Sequence, residues 1–333
     1  MTPPQPAAAR ESPQASPSIE TEVTQVEAAA PATGWTPVDK PLRGILLVLV
    51  STVFLSSSDT MAKYLAFRLP AVEIAWLRYL TFMLIMCPAV IAVSPRLALR
   101  TVRPGLQVLR GLTLVGSSLL FITALRFLPI AEATTTSFVS PIFVTVLSIL
   151  FLGERVGIRR WIATIVGLIG VIIVVRPGTN AFHPAALLAI TSAACWACSL
   201  VSTRKIAGRD SAVTTMTYSA ITGFILLSVL LPFFWITPTL NELALAACLG
   251  IAATSGHWLV VLAYRYGDAS VLAPFSYTQP IWATVLGYAV FGDVPDGWTF
   301  VGAAVIIASG LYTAHRERVR RSNLTLGTMG AKA

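Results

Sequence analysis

The chain has 333 residues, of which 55% are hydrophobic and only 12% are charged, and its formal net charge is +9. A soluble domain carries about a quarter charged residues, so this composition excludes an ordinary soluble domain and indicates an integral membrane protein. A surplus of positive charge is typical of nucleic-acid binding, but the placement of these basic residues favours a membrane protein instead.

Residues 1–40 differ from the rest of the chain. They are rich in Pro, Ala, Ser, Gln and Glu, hold five acidic and two basic residues, and show no periodic apolar pattern. Such a composition does not bury enough apolar surface to fold, so we predict a disordered cytoplasmic tail. The segment has no basic start leading into an apolar stretch, and we therefore do not expect a secretory signal.

Ten apolar segments follow the tail. Each is close to the 20 or so residues that a helix needs to cross the hydrocarbon core of a bilayer, which predicts an all-α integral membrane fold with ten transmembrane helices. The predicted spans are residues 44–66, 71–93, 106–126, 130–152, 158–176, 183–205, 211–236, 243–264, 269–291 and 298–315.

The distribution of Lys and Arg predicts the orientation of these spans. With the amino terminus in the cytoplasm, 19 of the 24 Lys and Arg residues fall on the cytoplasmic side, four fall outside, and Arg78 lies within a span. The positive-inside rule therefore predicts that both termini are cytoplasmic. The same distribution accounts for the net charge, so the expected partners are the lipid bilayer and a small-molecule substrate, with no nucleic acid.

An internal repeat organises the chain. Residues 124–154 align without a gap on residues 263–293, and nine of the 31 positions are identical. Ten spans then divide into five per half, and an odd number reverses the second copy in the membrane. The sequence predicts two inverted five-helix repeats, residues 41–178 and 179–317, followed by a basic cytoplasmic tail, residues 318–333.

Each copy of the repeat holds a proline inside an apolar segment, Pro141 and Pro280. A proline removes one helix hydrogen bond and leaves the carbonyl of the residue four positions earlier without its usual partner. Matched helix breaks in the two halves of a membrane protein point to a transport site between the halves. We therefore expect both prolines to act as hinges beside such a site.

The spans around these prolines carry small polar side chains on one helical face. The spacing of three to four residues predicts a stripe that lines a central path, with helix packing as the alternative. The first stripe is Ser137, Pro141, Thr145 and Ser148, and the second is Ser276, Pro280, Thr284 and Gly287. Ser140, which precedes the first proline, is a further candidate for substrate binding.

Two charged side chains lie within the first two spans. Asp59 ends a polar run in the first span, where an acid usually marks an ion or substrate path, and it is a candidate for proton coupling. An ion pair with Lys63, four residues on, is the alternative. Arg78 is expected to bind a substrate carboxylate with Trp76 beside it, while a pair with Glu73 or with carbonyls of a neighbouring helix is the alternative.

Span eight and the following span supply the remaining candidates. His257 is the only histidine deep in a span, and it is a candidate for substrate binding and proton transfer, with a packing role as the alternative. Trp258 and Tyr277 are expected to stack on the substrate, although such aromatic side chains also form interfacial belts. Gln279, beside Pro280, is expected either to bind substrate or to satisfy the broken backbone.

No motif for chemistry on a substrate is present. Cys195 and Cys198 have a C-x-x-C spacing but lack a second ligand pair, so we interpret them as packing residues. The chain contains neither a P-loop nor a nucleophile or zinc-protease motif, and we expect neither enzymatic activity nor a cofactor or bound metal.

The repeat ends resemble the drug/metabolite transporter superfamily, EamA type. Arg78 matches an arginine often found in the second helix of that family, whereas Asp293 departs from its usual glutamate. The residues that carry the resemblance are Pro141, Leu152, Gly153, Glu154, Trp161, Gly167, Gly170 and Val171 in the first copy, and Pro280, Phe291, Gly292, Asp293, Trp298, Gly302 and Gly310 in the second.

The resemblance covers residues 42–315 and implies export of small metabolites across a bacterial inner membrane. Within the superfamily the chain is similar to amino-acid exporters, so we expect a monomeric secondary exporter of amino acids, hydrophobic and aromatic ones included, that works by alternating access. A facilitative carrier or a drug or sugar exporter of the same fold is the alternative. A channel and a lipid-modifying membrane enzyme are less favoured.

Overall fold

The computed structural model describes residues 41–93, 99–153, 158–179, 182–206, 210–263, 266, 272 and 275–330. The predicted tail of residues 1–40 lies outside this set. Within the described residues the chain forms eleven α-helices and one short 3₁₀ turn, Leu231–Phe233, and no strand. The helices are α1 (Pro41–Ala66), α2 (Ala71–Val93), α3 (Pro104–Leu125), α4 (Ile130–Ser137), α5 (Ser140–Leu152), α6 (Ile158–Val175), α7 (Ala186–Ile206), α8 (Ala212–Leu230), α9 (Leu240–Ala263), α10 (Gln279–Phe291) and α11 (Gly297–Gly330).

These helices account for the ten predicted spans. Seven described helical segments are long and apolar enough to cross a membrane, and two shorter apolar segments lie in α6 and α11. The remaining span, predicted at residues 269–291, includes α10 and the short described stretch that precedes it. The fold is therefore an all-α membrane fold of ten spans in two inverted five-helix repeats.

The fourth span is two helices rather than one. Helix α4 ends at Ser137 and α5 begins at Ser140, with Pro141 as its second residue, and α10 begins in the same way with Pro280 as its second residue. Proline is tolerated at the start of a helix because the first amides have no partner there. The sequence predicted a kink at each proline, whereas the structure interrupts the fourth span over residues 138–139.

Helices α5 and α10 also end alike. Gly153 and Gly292 follow them in the left-handed conformation, with φ of 66° and 70°, and their amides bond to carbonyls of the last turn. A residue with a Cβ is strained at this φ, so glycine is the favoured helix terminator here. The two copies of the repeat therefore share both their first and last turns.

Helix packing mixes the two repeats. We call α1, α2, α9 and α10 the first bundle, because α9 packs on α1 and α2, and α10 packs on α1. We call α3, α4, α5, α7 and α8 the second bundle, because α3 packs on α7 and α8, and α5 packs on α7. Each contact of one bundle has its repeat-related counterpart in the other, which is the packing expected of inverted repeats.

Contacts between repeat-related helices also join the bundles or flank them. Helix α2 packs on α8, α4 packs on α10, and α6 packs on α11, and each of these pairs consists of the same helix or span from the two repeats. Gly170 and Gly302 permit the close approach of α6 and α11, because a Cβ on Gly302 would lie 2.7 Å from the Gly170 carbonyl oxygen. Small residues commonly permit such contacts between membrane helices.

Charged side chains tie the first bundle together. Lys63 at the end of α1 pairs with Asp293 beyond α10 at 2.5 Å and lies over the Phe291 ring, 4.9 Å from its centroid. Arg68, in the α1–α2 connection, pairs with Glu242 of α9 at 2.5 Å. Both ion pairs lie at the same end of the first bundle, where they hold the ends of its helices together on one membrane face.

The second bundle has a polar link at its opposite end. Asp210, before α8, accepts hydrogen bonds from the Thr101 hydroxyl, the Val102 amide and, at 2.8 Å, the Gln107 side chain. Partial burial opposes ionisation of Asp210, but these hydrogen bonds dominate and lower the pKa of its carboxyl below its usual range. The carboxylate is therefore ionised at neutral pH and holds the start of α3 to the start of α8.

Candidate functional site

The hydroxyls of α1 bind to the helix break that precedes α10. The Thr52 Oγ1 lies 3.0 Å from the Thr278 Oγ1, and the Ser56 hydroxyl donates to the Gln279 carbonyl at 3.2 Å. A proline break in hydrocarbon needs partners of this kind, because the freed backbone groups have no water to bind. The polar side chains of the first span thus form one side of α1, and hydrogen bonds from this side stabilise the helix break.

Asp59 ends this run and forms the acidic part of the candidate site. Its side chain is 9% exposed, and its Oδ2 lies 3.4 Å from the Gln279 side-chain nitrogen. The Arg78 guanidinium of α2 is close enough to interact electrostatically with it. In the described part of the chain Arg78 makes no hydrogen bond, so its donors can bind a ligand anion.

His257 of α9 completes the polar group. Its Nδ1 lies 2.8 Å from the Ala253 carbonyl oxygen, and since a carbonyl only accepts, Nδ1 carries the proton. In the neutral ring Nε2 is then a hydrogen-bond acceptor. Arg78 also interacts electrostatically with His257, and the Trp196 ring of α7 meets the imidazole edge-on at 6.2 Å between centroids.

The structure therefore brings together four of the residues singled out in the sequence: Asp59, Arg78, His257 and Gln279. All four belong to the first bundle, on α1, α2, α9 and α10 respectively. The group contains an acidic side chain (Asp59), a cationic side chain (Arg78) and a neutral hydrogen-bond acceptor (His257) within the membrane-spanning part of the protein. Such intramembrane charges usually mark a substrate or ion path.

The alternatives raised for the charged residues have different outcomes. Lys63 pairs with Asp293 rather than with Asp59, so the local i, i+4 pair does not form. Glu73 accepts a hydrogen bond from the Ile236 amide at 3.1 Å and makes no ion pair with Arg78. Asp59 and Arg78 are therefore not engaged by the partners nearest to them in sequence.

Several aromatic candidates lie away from this group. The Trp76 indole donates to the Ser228 hydroxyl at 2.8 Å and stacks on Phe224, which places it at the contact between α2 and α8. Tyr277 packs on Phe138 with 5.1 Å between ring centroids and occupies the space left by Gly310 of α11. The Trp258 side chain is 44% exposed and makes no ring contact within the described residues.

The small polar stripes differ between the repeats. Ser137 donates to the Ala133 carbonyl at 3.0 Å, and Ser137, Ser140 and Ser276 are all half-buried. Pro141 is exposed, whereas its counterpart Pro280 is buried. The two matched prolines therefore have different surroundings in one and the same structure.

Trp196 is a residue that the sequence did not single out. It lies between Cys195 and Cys198 on α7, in a stretch interpreted as packing, and nothing in its spacing distinguishes it from a lipid-facing tryptophan. Arg110 was not singled out either, because it is one of the 19 Lys and Arg residues that the sequence assigns to the cytoplasmic side. Its guanidinium donates to the Thr203 hydroxyl at 2.7 Å and to Ser219, within the second bundle.

Comparison with known proteins relates the chain to transporters. It is 33% identical over 283 residues to the S-adenosylmethionine uptake transporter of Rickettsia prowazekii (strain Madrid E), covering 85% of this chain and 96% of the relative. The riboflavin transporter of Vibrio cholerae is 31% identical and covers 83% of this chain and 94% of its own.

A third relative, the pseudopaline exporter of Pseudomonas aeruginosa, is 25% identical and covers 80% of this chain and 94% of its own. One crystal structure superposes with a TM-score of 0.57 at 19% identity over 84% of this chain and 98% of its own, which shows a shared fold. The EamA-like transporter family model matches twice, at residues 42–176 and 183–313. The chain therefore belongs to the EamA-like transporter family, within the drug/metabolite transporter superfamily, and is a membrane transporter.

Proposed function

We propose that the protein is a secondary carrier of amino-acid-type zwitterions, with S-adenosylmethionine as its first candidate substrate. The observation that carries the proposal is that Asp59 and Arg78 lie in membrane-spanning helices of the first bundle, close enough to interact electrostatically but without a direct ion pair between them. An acid and an arginine at such depth are costly to insert, and they suit a solute that brings one charge of each sign. Arg78 binds the solute carboxylate through its planar guanidinium, and Asp59 binds the ammonium.

The names of the relatives support this class of solute. The Rickettsia relatives are named for S-adenosylmethionine uptake, and that molecule is an amino acid with an added sulfonium and adenosine. Amino-acid transport, as expected from the sequence, and S-adenosylmethionine transport therefore require the same recognition of an α-carboxylate and an α-ammonium. The riboflavin transporters among the relatives make riboflavin the second candidate substrate. Riboflavin lacks this zwitterion, so its transport distinguishes the riboflavin proposal from the zwitterion proposal.

The carrier works by alternating access between the two bundles, and the direction of net flux follows the gradient of the solute or of a coupled ion. Export, as the sequence resemblance implies, and uptake, as in the names of the Rickettsia relatives, are then the same cycle under different gradients. The excess of Lys and Arg on one side supports cytoplasmic termini in a bacterial inner membrane. No catalytic step is part of the cycle.

Uptake into proteoliposomes tests the proposal. The purified protein is reconstituted, and entry of radiolabelled S-adenosylmethionine, tryptophan and riboflavin is followed with and without a pH gradient. We expect saturable entry of S-adenosylmethionine that excess unlabelled compound suppresses and that empty liposomes do not show. Entry of riboflavin without either amino-acid-type compound would refute the zwitterion proposal.

A further inference from the structure

We infer that Trp196 is a specificity-determining residue that binds a planar heterocycle of the substrate, with His257 reading the edge of that ring. The inference rests on the proposed function and adds a ring subsite to its zwitterion site. The two residues belong to different bundles, since Trp196 lies on α7 and His257 on α9. Their rings are in contact across the region where the bundles face each other.

The packing of the two helices places this contact in an unusual position. Helix α7 packs on α3, α4 and α5, while α9 packs on α1 and α2, so neither helix takes the other as a main neighbour. The Trp196 and His257 side chains therefore bridge two helices that belong to different bundles. Side chains that meet in this way line the space between bundles, which is where carriers of inverted repeats bind their solutes.

The geometry of the pair favours a ring stacked on Trp196. The planes are inclined at 65° with 6.2 Å between centroids, so the two rings meet edge to face and no ring fits between them as a sandwich. The indole is half-buried, and its N–H makes no hydrogen bond within the described residues. A heterocycle on the open part of the indole gains the stacking energy that aromatic side chains give to bases.

The imidazole supplies the polar half of the recognition. With Nδ1 bonded to the Ala253 carbonyl, Nε2 of the neutral ring is an acceptor held in a fixed orientation. An exocyclic amine or a ring N–H of a stacked heterocycle donates to it. Adenine, which carries an exocyclic amine, and the flavin ring, which carries a ring N–H, both meet this requirement, whereas an aliphatic side chain meets neither part.

Arg78 is a shared neighbour of the charged site and of the ring subsite. Arg78 interacts electrostatically with both Asp59 and His257, so the zwitterion site and the ring subsite share the same arginine as a neighbour. A solute with an amino-acid end and a heterocycle at its other end then contacts the first bundle through its charges and the second bundle through its ring. Contact with both bundles couples binding to their relative position.

Two sulfonium amino acids test the ring subsite in proteoliposomes. S-adenosylmethionine carries the heterocycle, and S-methylmethionine carries the same amino-acid end and sulfonium without it. We expect Trp196→Ala to raise the KM for S-adenosylmethionine about tenfold, as loss of stacking on one ring predicts. The KM for S-methylmethionine should change by less than about twofold, because its contacts lie at the charged pair.

Two further variants serve as controls. Trp196→Phe keeps an aromatic face and is expected to raise the KM for S-adenosylmethionine by less than about threefold. Trp298→Ala removes an exposed indole on α11, outside both bundles, and should alter neither KM. A Trp196→Ala effect of equal size on both sulfonium compounds, or on neither, would overturn the ring subsite while leaving the zwitterion site in place.

Inhibition of the unmodified carrier gives a measurement that does not depend on the folding of a variant. 5′-Methylthioadenosine has the heterocycle without the amino-acid end, and we expect it to compete with S-adenosylmethionine; absence of competition at high excess counts against the ring subsite. If the carrier takes up riboflavin and neither sulfonium compound, the zwitterion proposal fails. Loss of that riboflavin uptake in Trp196→Ala would still support the ring subsite, and its retention would overturn that as well.

Discussion

The charged residues of the candidate site occur in one repeat only. The later spans of the two halves align at an offset of 139, whereas the first spans align at 141, which matches Ala66 to Ala207. At that offset the counterpart of Asp59 is Leu200 and that of Arg78 is Ser219. A pseudo-symmetric fold therefore holds an asymmetric site, in which Asp59 and Arg78 of the first bundle have no charged counterparts in the second. A solute bound between the bundles is oriented by its charges, because they have partners on one side alone.

Arg78 should be needed for its geometry as well as its charge. We expect Arg78→Gln to lower uptake of the amino-acid-type substrate by about 100-fold and Arg78→Lys by about tenfold, because lysine keeps the charge but not the planar pair of donors. Arg126→Gln, at the exposed end of α3, is the matched control and should be neutral. Initial rates in proteoliposomes provide the measurement.

The double variant Asp59→Asn/Arg78→Gln separates a structural pair from a binding pair. If the two residues only neutralise each other, removing both charges restores uptake to a level near that of the unmodified carrier. If they bind the substrate, the double variant stays inactive. Recovery of uptake would therefore contradict the binding role proposed for this pair.

Each of these charged residues could be recognised from the sequence, but their proximity in space could not. A lone acid or arginine in an apolar span is conspicuous, so Asp59, Arg78 and His257 could be recognised one at a time. Their proximity depends on how α1, α2 and α9 pack, which no periodicity encodes. Trp196 was missed for the same reason, because only the packing of α7 opposite α9 gives it a ring to contact.

At the scale of the helix, the matched prolines explain why the repeat was visible in the sequence and why its two copies differ in structure. Both prolines stand second in their helices, and both helices end in a left-handed glycine. Yet Pro141 is exposed and Pro280 is buried, with α1 hydroxyls bonded at the second break. Inverted repeats that exchange conformations during a transport cycle differ in this way at any one moment.

Replacement of both prolines by alanine should slow transport without unfolding the protein. An alanine amide can donate to the carbonyl four residues back, so each break is expected to close into continuous helix and resist bending. We expect the turnover rate to fall about tenfold while substrate affinity changes little, and thermal unfolding in detergent to occur at the same temperature or higher.

Pro88 provides the matched control for the hinge prediction. It is an exposed proline inside α2, and the other repeat has Val229 at the corresponding position. Pro88→Ala removes a proline from a span without touching either matched break, and it should leave the turnover rate unchanged. An unchanged turnover rate in the Pro141→Ala/Pro280→Ala variant would contradict the role of the prolines as hinges.

At the scale of the whole molecule, the units that pack together are not the repeats. Each bundle takes helices from both halves of the chain, and the ion pairs Lys63–Asp293 and Arg68–Glu242 both lie within the first bundle. In the described part of the chain the bundles meet through neutral contacts instead, such as Trp76 with Ser228 and Phe138 with Tyr277. Strong links within bundles and neutral links between them favour rocking of one bundle against the other. The repeat and its inversion could be predicted from the sequence, but the exchange of helices between halves is a property of packing alone.

Cross-linking distinguishes this movement from one in which the repeats move as units. In a background without the four native cysteines, the pair Trp76→Cys/Ser228→Cys joins the bundles through α2 and α8, and the pair Arg68→Cys/Glu242→Cys joins two parts of the first bundle. Each pair replaces side chains whose tips are in contact, so the same short bis-methanethiosulfonate reagent, which joins two cysteines through reducible disulfides, reaches both. We expect the first cross-link to abolish uptake and a reducing agent to restore it, because the bundles must separate for the solute to pass.

The second cross-link should leave uptake near that of the uncross-linked protein, although it joins the two repeats. Loss of uptake with the second pair as well as the first would mean that the repeats, rather than the bundles, are the moving units.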